Sequence, residues 1–152
     1  MWTEDQQSIQ AQRDLAGVEV RLAAVLVESG QAAEAGSLVT RALRLLRPRA
    51  ESILASPGEM LHFARLLLTA PVVELRYPAA ALAIAQRAVE SSAVHDPRAL
   101  QVLASAYAAR GENEKAIEAQ RKAISALPDR SATPLRKELE AGLVKLVNPN
   151  AR

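Results

Sequence analysis

The sequence predicts an all-α chain of packed helical hairpins, and three observations predict it. First, 49% of the 152 residues are hydrophobic but only 3% are aromatic, so the core must be built from Leu, Val, Ile and Ala. Alanine is the strongest helix former and takes little space between helices. Second, no segment alternates over strand lengths, and no Asn-Gly or Asp-Gly hairpin turn is present. Third, prolines and glycines mark helix starts and stops, as at Gly30, Pro57, Pro78, Pro97, Gly111, Pro128 and Pro134. The length fits one domain covering 1–152.

Taken in order, Thr3 and Gln6 have capping-box spacing and start the first helix. Ile9, Leu15, Val18, Leu22 and Leu26 then recur close to helical spacing, and Gly30 ends the run as a left-handed cap. A second helix covers about 31–46, with Ala35, Val39, Ala42, Leu43 and Leu46 inward and Pro48 stopping or bending it. Residues 48–56 read as a short helical turn with Ile53 and Leu54 packed inward. Ser56-Pro57-Gly58-Glu59 is a strong start signal: an N-cap, a first-turn proline and an acid three residues after the cap. The third helix runs to about Thr69 and carries Leu61, Phe63, Ala64, Leu67 and Leu68.

Residues 70–77 are a loop, with Val73 and Leu75 packing it down. The alternative is a recognition loop with Glu74, Arg76 and Tyr77 as contacts. Pro78 opens a fourth helix with Ala81, Leu82, Ala85, Ala88 and Val89 on one face. Asp96-Pro97 caps a fifth, which ends near Gly111. A sixth spans about 113–127 and stops at Pro128. Thr133-Pro134 opens the last, with Leu135, Leu139, Leu143 and Leu146 on one stripe and Asn148-Pro149 at its end.

A repeat underlies these helices. Its best copy reads Leu100-x2-Leu103-Ala104-x2-Tyr107, Gly111, Ala116-x3-Gln120-x2-Ala123, Pro128. This resembles the tetratricopeptide repeat, with Leu100 for the usual Trp, Ala104 for Gly and Gln120 for the aromatic. A second copy reads Leu22-Ala23-x2-Leu26, Gly30, Ala35-x3-Val39-x2-Ala42, with Pro48 one residue late. The middle copy, Phe63-Ala64-x2-Leu67 then Ala81-x3-Ala85-x2-Ala88, is split by the longer loop. The resemblance implies a right-handed α-solenoid of about three hairpins, at 4–47, 57–92 and 97–128, plus a capping helix at 134–147.

The chain is also similar to bacterial repeat arrays that follow the catalytic domain of some serine/threonine protein kinases. The residues that carry this are Leu66-Leu67-Leu68-Thr69-Ala70-Pro71, Ala88-Val89-Glu90 and Ala119-Gln120-Arg121-Lys122-Ala123. No glycine-rich loop and no catalytic-loop Asp/Asn pair accompanies them, so the resemblance implies a scaffold or regulatory segment. On this reading the chain is the C-terminal piece of a longer array. The uncapped N-terminal end, with Trp2 and Ile9, is then a place for homo-oligomerisation.

Chemistry is sparse. His62 and His95 have no second ligand at helical spacing, so no metal is expected. The serines lack a nucleophile-elbow context, Glu112 and Glu114 flank a turn, and no cofactor motif occurs. The expectation is no catalytic residue and no enzyme. Cysteine is absent, which rules out disulfides and thiolate metal sites. The acidic N-terminus lacks an export pattern and no apolar run is long enough to span a bilayer, so a cytoplasmic protein is expected with no membrane contact. The net charge is only +2, its excess mostly after Arg110 in Arg121, Lys122, Arg130, Arg136 and Lys137. That is thinner than a nucleic-acid stripe.

The functional expectation is therefore a protein or peptide partner held on the concave side. The residues facing away from the core on the first helix of each hairpin are Arg21, Ala24 and Glu28, then Leu61, Arg65 and Leu68, then Arg98, Gln101, Ser105 and Ala108. The Lys/Asn set with which some family members grip a C-terminal carboxylate is missing: the matching positions hold Val20, Ala24 and Arg98.

Overall fold

Local signals set the helix ends. The computed structural model describes residues 4–92, 96–127 and 133–148, with side chains from residue 7 onward. Among these there are seven α-helices and no strand: α1 Glu4–Glu28, α2 Ala32–Glu51, α3 Pro57–Thr69, α4 Pro78–Ser91, α5 Pro97–Ala109, α6 Asn113–Ser125 and α7 Pro134–Val147. The first-helix cap at Thr3, together with Trp2, His95, Pro128, Arg130 and Pro149, lies outside the described residues.

Ser56 caps α3 reciprocally: its hydroxyl accepts from the Glu59 amide, and the Glu59 carboxylate accepts from the Ser56 amide. Asp96 accepts from the Arg98 amide to start α5, and Thr133 from the Arg136 amide to start α7. Prolines 57, 78, 97 and 134 each take the first turn, where their missing N–H costs nothing. Gly30 (φ 81°) and Gly111 (φ 77°) turn the chain between α1 and α2 and between α5 and α6. In each turn the next amide reaches back five residues, Gln31 to Leu26 O (2.8 Å) and Glu112 to Tyr107 O (3.0 Å).

Such short turns fold each pair of helices back on itself. Each helix packs chiefly on the helices before and after it in the chain, and α3 also touches α5. The contacts are made by small residues. Ala16 and Ala23 of α1 meet Ala35, Val39 and Ala42 of α2, all buried. Ala81, Ala85 and Ala88 do the same for α4 against α3, and Ala104 and Ala116 are buried in the last pair. One apolar core runs from Ala16 to Val102, filled by Met60, Phe63, Leu66 and Leu67 of α3. Each of these larger side chains contributes about 1.5–3 kcal/mol. A second cluster, Leu100, Ala123 and Leu139, joins α5, α6 and α7.

Four expectations are corrected. Leu15, Val18 and Leu22 do not pack inward, because Ala16 and Ala23 let α2 approach the other face of α1 more closely. Of the two effects expected of Pro48, stopping does not occur, since α2 continues to Glu51. The turn after it is held by Arg87 of α4, whose guanidinium donates to Ser52 O (2.8 Å) and Ala50 O (3.4 Å). Ile53 and Leu54 point into solvent, 95% and 86% exposed, since this connection projects beyond α2 and α3. In the 70–77 loop Leu75 packs inward but Val73 is exposed. That loop is tied down by its backbone: Tyr77 N donates to Leu67 O (2.9 Å) and Arg76 Nε to Ala70 O (2.8 Å).

Candidate binding groove

The side-by-side placement of α3 and α5 assembles a groove. Residues 65, 68 and 69 share one face of α3, and 98, 101, 102 and 105 share one face of α5, by helical spacing. Arg65, Leu68, Thr69, Gln101, Val102 and Ser105 line a cleft of about 200 Å³, closed by Glu138 of α7. Arg65, Arg98 and Gln101 line an adjoining cleft of about 260 Å³ with Pro134, Leu135 and Glu138. Five residues expected from the sequence thus meet here: Arg65, Leu68, Arg98, Gln101 and Ser105.

The remaining expected residues sit elsewhere. Leu61 is buried in the core with Met60 and Ala64 and lines neither cleft, because helical spacing puts it on their side of α3. Arg21 and Glu28 are exposed on α1 and line neither cleft. Conversely, Glu138, Leu135 and Pro134 of α7 also line the groove, and no helical spacing in the sequence places them there. No local pattern links α7 to α5, since Gln101 and Glu138 lie 37 residues apart.

Polar geometry in the groove is specific. Gln101 Nε2 donates to Glu138 Oε1 at 2.7 Å, while Gln101 Oε1 is buried with no hydrogen-bond partner among the described residues. The hydroxyls of Thr69 and Ser105 donate to carbonyls of their own helices, Arg65 O (2.9 Å) and Gln101 O (3.0 Å). The guanidiniums of Arg65 and Arg98 are exposed and engage no carboxylate among the described residues. Two free forks beside one carboxylate leave the groove net positive, and each fork matches a carboxylate in two-point geometry.

His62 lies one helical turn before Arg65, on a small, partly open cavity where α1, α2 and α3 meet. Burial, then the positive charges of Arg13 and Arg65, push its imidazole below the usual histidine range, so it is the neutral form that packs here. Across the same cavity Glu59 is held below the usual carboxylate range. Burial opposes its charge, but hydrogen bonds from the Ser56 amide and hydroxyl and from Arg49 outweigh that.

A wider cleft of about 690 Å³ opens between α4, α5 and α6, floored by Leu100, Leu103 and Ala119. Its cations are already engaged. Lys115 pairs with Glu112 (2.7 Å) and lies over the Tyr107 ring, and Lys122 pairs with Glu118 (2.6 Å). Arg136 of the basic C-terminal run likewise faces Glu140 (3.8 Å). Among the described residues no three His, Asp or Glu side chains gather to hold a metal, and no helix is long and apolar enough to cross a membrane. The chain has no significant match among protein-family models, curated proteins or solved structures.

Proposed function

We propose that the chain is a non-catalytic protein-binding module, a right-handed solenoid of three tetratricopeptide-type hairpins closed by α7, which holds a peptide or partner helix in the α3/α5/α7 groove. The packing of each helix on its chain neighbours, with α3 also against α5, supports the solenoid reading. So do the buried small residues Ala104, Ala116 and Ala123 and the left-handed Gly111 at the pattern positions of the last hairpin. The observation that carries the binding reading is the pair of unengaged guanidiniums, Arg65 and Arg98, flanking Gln101 in a lined cleft. Such a site takes a segment with an acidic side chain between its apolar contacts. Leu68 and Leu135, both half-buried, offer the apolar surface.

The test is fluorescence anisotropy against length-matched peptides that differ in acidic content, at two salt concentrations. Acidic peptides bind the wild type, more tightly at low salt. The Arg65→Ala/Arg98→Ala variant loses about 10- to 100-fold in affinity, as expected for two charge-assisted contacts, and its salt dependence flattens. Equal binding by both proteins removes the groove assignment.

A further inference from the structure

The outer face of α1 carries an apolar stripe that the fold leaves uncovered. Leu15, Val18, Leu22 and Val25 are 48%, 52%, 48% and 58% exposed. They follow one another at intervals of three, four and three residues, the spacing of a helix–helix seam. The stripe lies beside, and does not form, the face that packs on α2, where Ala16, Glu19 and Ala23 are buried. Along one edge of it stand Asp14, Arg21 and Glu28, seven residues apart and alternating in sign. Asp14 accepts from Gln10 on its own helix (2.8 Å), and no ion pair among the described residues engages Arg21 or Glu28.

We propose that α1 pairs antiparallel with α1 of a second copy of this chain. A two-fold interface must be complementary to itself, so each edge charge must meet its opposite after inversion of the helix. In the register that sets Leu15 against Val18 of the second copy, and Leu22 against Ala11, Arg21 comes beside Asp14 of the second copy, and the same pair forms again across the axis. The register that sets Leu15 against Val25 brings Arg21 onto Arg21 and Asp14 onto Glu28. Like charges there select against it. A parallel pairing sets Asp14 beside Glu19 and Arg21 beside Leu26, which satisfies neither charge. Setting Leu22 against Val25 would also pair opposite charges, Arg21 with Glu28, but it carries Leu15 past the end of α1 at Glu28. The alternation of sign and the helix length together therefore favour the antiparallel register at Leu15/Val18, in which the same residues supply both halves of the contact.

Sedimentation equilibrium of the full chain tests this over a wide concentration range. The wild type is a reversible dimer, and Leu15→Lys/Leu22→Lys is monomeric. Because all these positions are exposed, circular dichroism melts of the variants stay close to wild type. Asp14→Arg and Arg21→Asp each weaken association about tenfold or more, because each puts like charges together. Combining them restores association, and mixing the two single variants yields the heterodimer in preference to either homodimer. A wild type that stays monomeric, or a dimer that Leu15→Lys/Leu22→Lys leaves intact, overturns the proposal. Single charge variants that dimerise like wild type overturn the register.

Discussion

Gln120 stands where the tetratricopeptide pattern has an aromatic, and its amide does what a ring cannot. Buried in α6, it donates from Nε2 to the backbone carbonyl of Leu139 in α7 at 2.7 Å. Gly142 makes room for it: a Cβ there would lie 2.8 Å from Gln120 Nε2. The glycine therefore costs helix propensity and keeps a buried hydrogen bond. Gly142→Ala is expected to destabilise the wild type by about 1 kcal/mol, since the displaced amide loses its partner. In a Gln120→Ala background the same change should stabilise by about 0.5–1 kcal/mol, because the obstacle is gone and only the helix gain remains. Urea denaturation of the four proteins in a double-mutant cycle measures this. If Gly142→Ala has one effect in both backgrounds, the two residues are not coupled. The sequence exposed Gln120 only as a departure from a pattern. Its purpose was not legible, because its partner is a carbonyl on a helix 19 residues away.

Helix ends were legible and helix faces less so, and the reason is range. The Ser56/Glu59 box, the Asp96 cap and the turns at Gly30 and Gly111 are each decided within about six residues, which a sequence displays directly. The buried face of a helix is decided by its neighbour. In α1 the large side chains form a clear period, yet Ala16 and Ala23 won the contact with α2 because small residues let the backbones close in. Ile53 and Leu54 followed the same error: apolar character implied burial, but the connection holding them projects outward. The groove was half legible. Arg65 and Arg98 came from helical phase alone, while Glu138 needed α7 docked. Stability measurements separate the two kinds of residue. Ser56→Ala should cost about 1 kcal/mol through loss of the cap. Ile53→Ser/Leu54→Ser should change stability by no more than about 0.5 kcal/mol, since almost nothing is uncovered. A loss of several kcal/mol from the double serine variant in chemical denaturation would mean that this tip packs.

At the scale of the molecule, each helix depends on its chain neighbours, so a junction between hairpins can be weakened by a single charge. His62 occupies one: it shares a cavity with Ile9, Gln12 and Arg13 of α1, with Leu45, Leu46 and Arg49 of α2, and with Glu59 of its own helix. Burial and two arginines hold its pKa below the ordinary 6.5, so the folded chain takes up the proton less readily than the unfolded chain. The stabilisation that comes from this neutral imidazole is complete above about pH 6.5. It is lost progressively as the pH falls from there through the lowered folded value, because the unfolded state binds the proton first. Glu59 acts in the same direction at lower pH, since its depressed carboxyl stabilises the fold above its ordinary value of 4.5 and loses that contribution on protonation. The two effects separate by range and by variant. Denaturant midpoints followed from pH 8 to pH 5 should fall for the wild type (about pH 6.5 downward) and hold nearly level for His62→Gln, which cannot charge. Arg13→Ala should shallow the wild-type decline, because one of the two cations opposing protonation is gone. An unchanged pH profile for His62→Gln would place the acid sensitivity elsewhere than at the α1/α2/α3 junction.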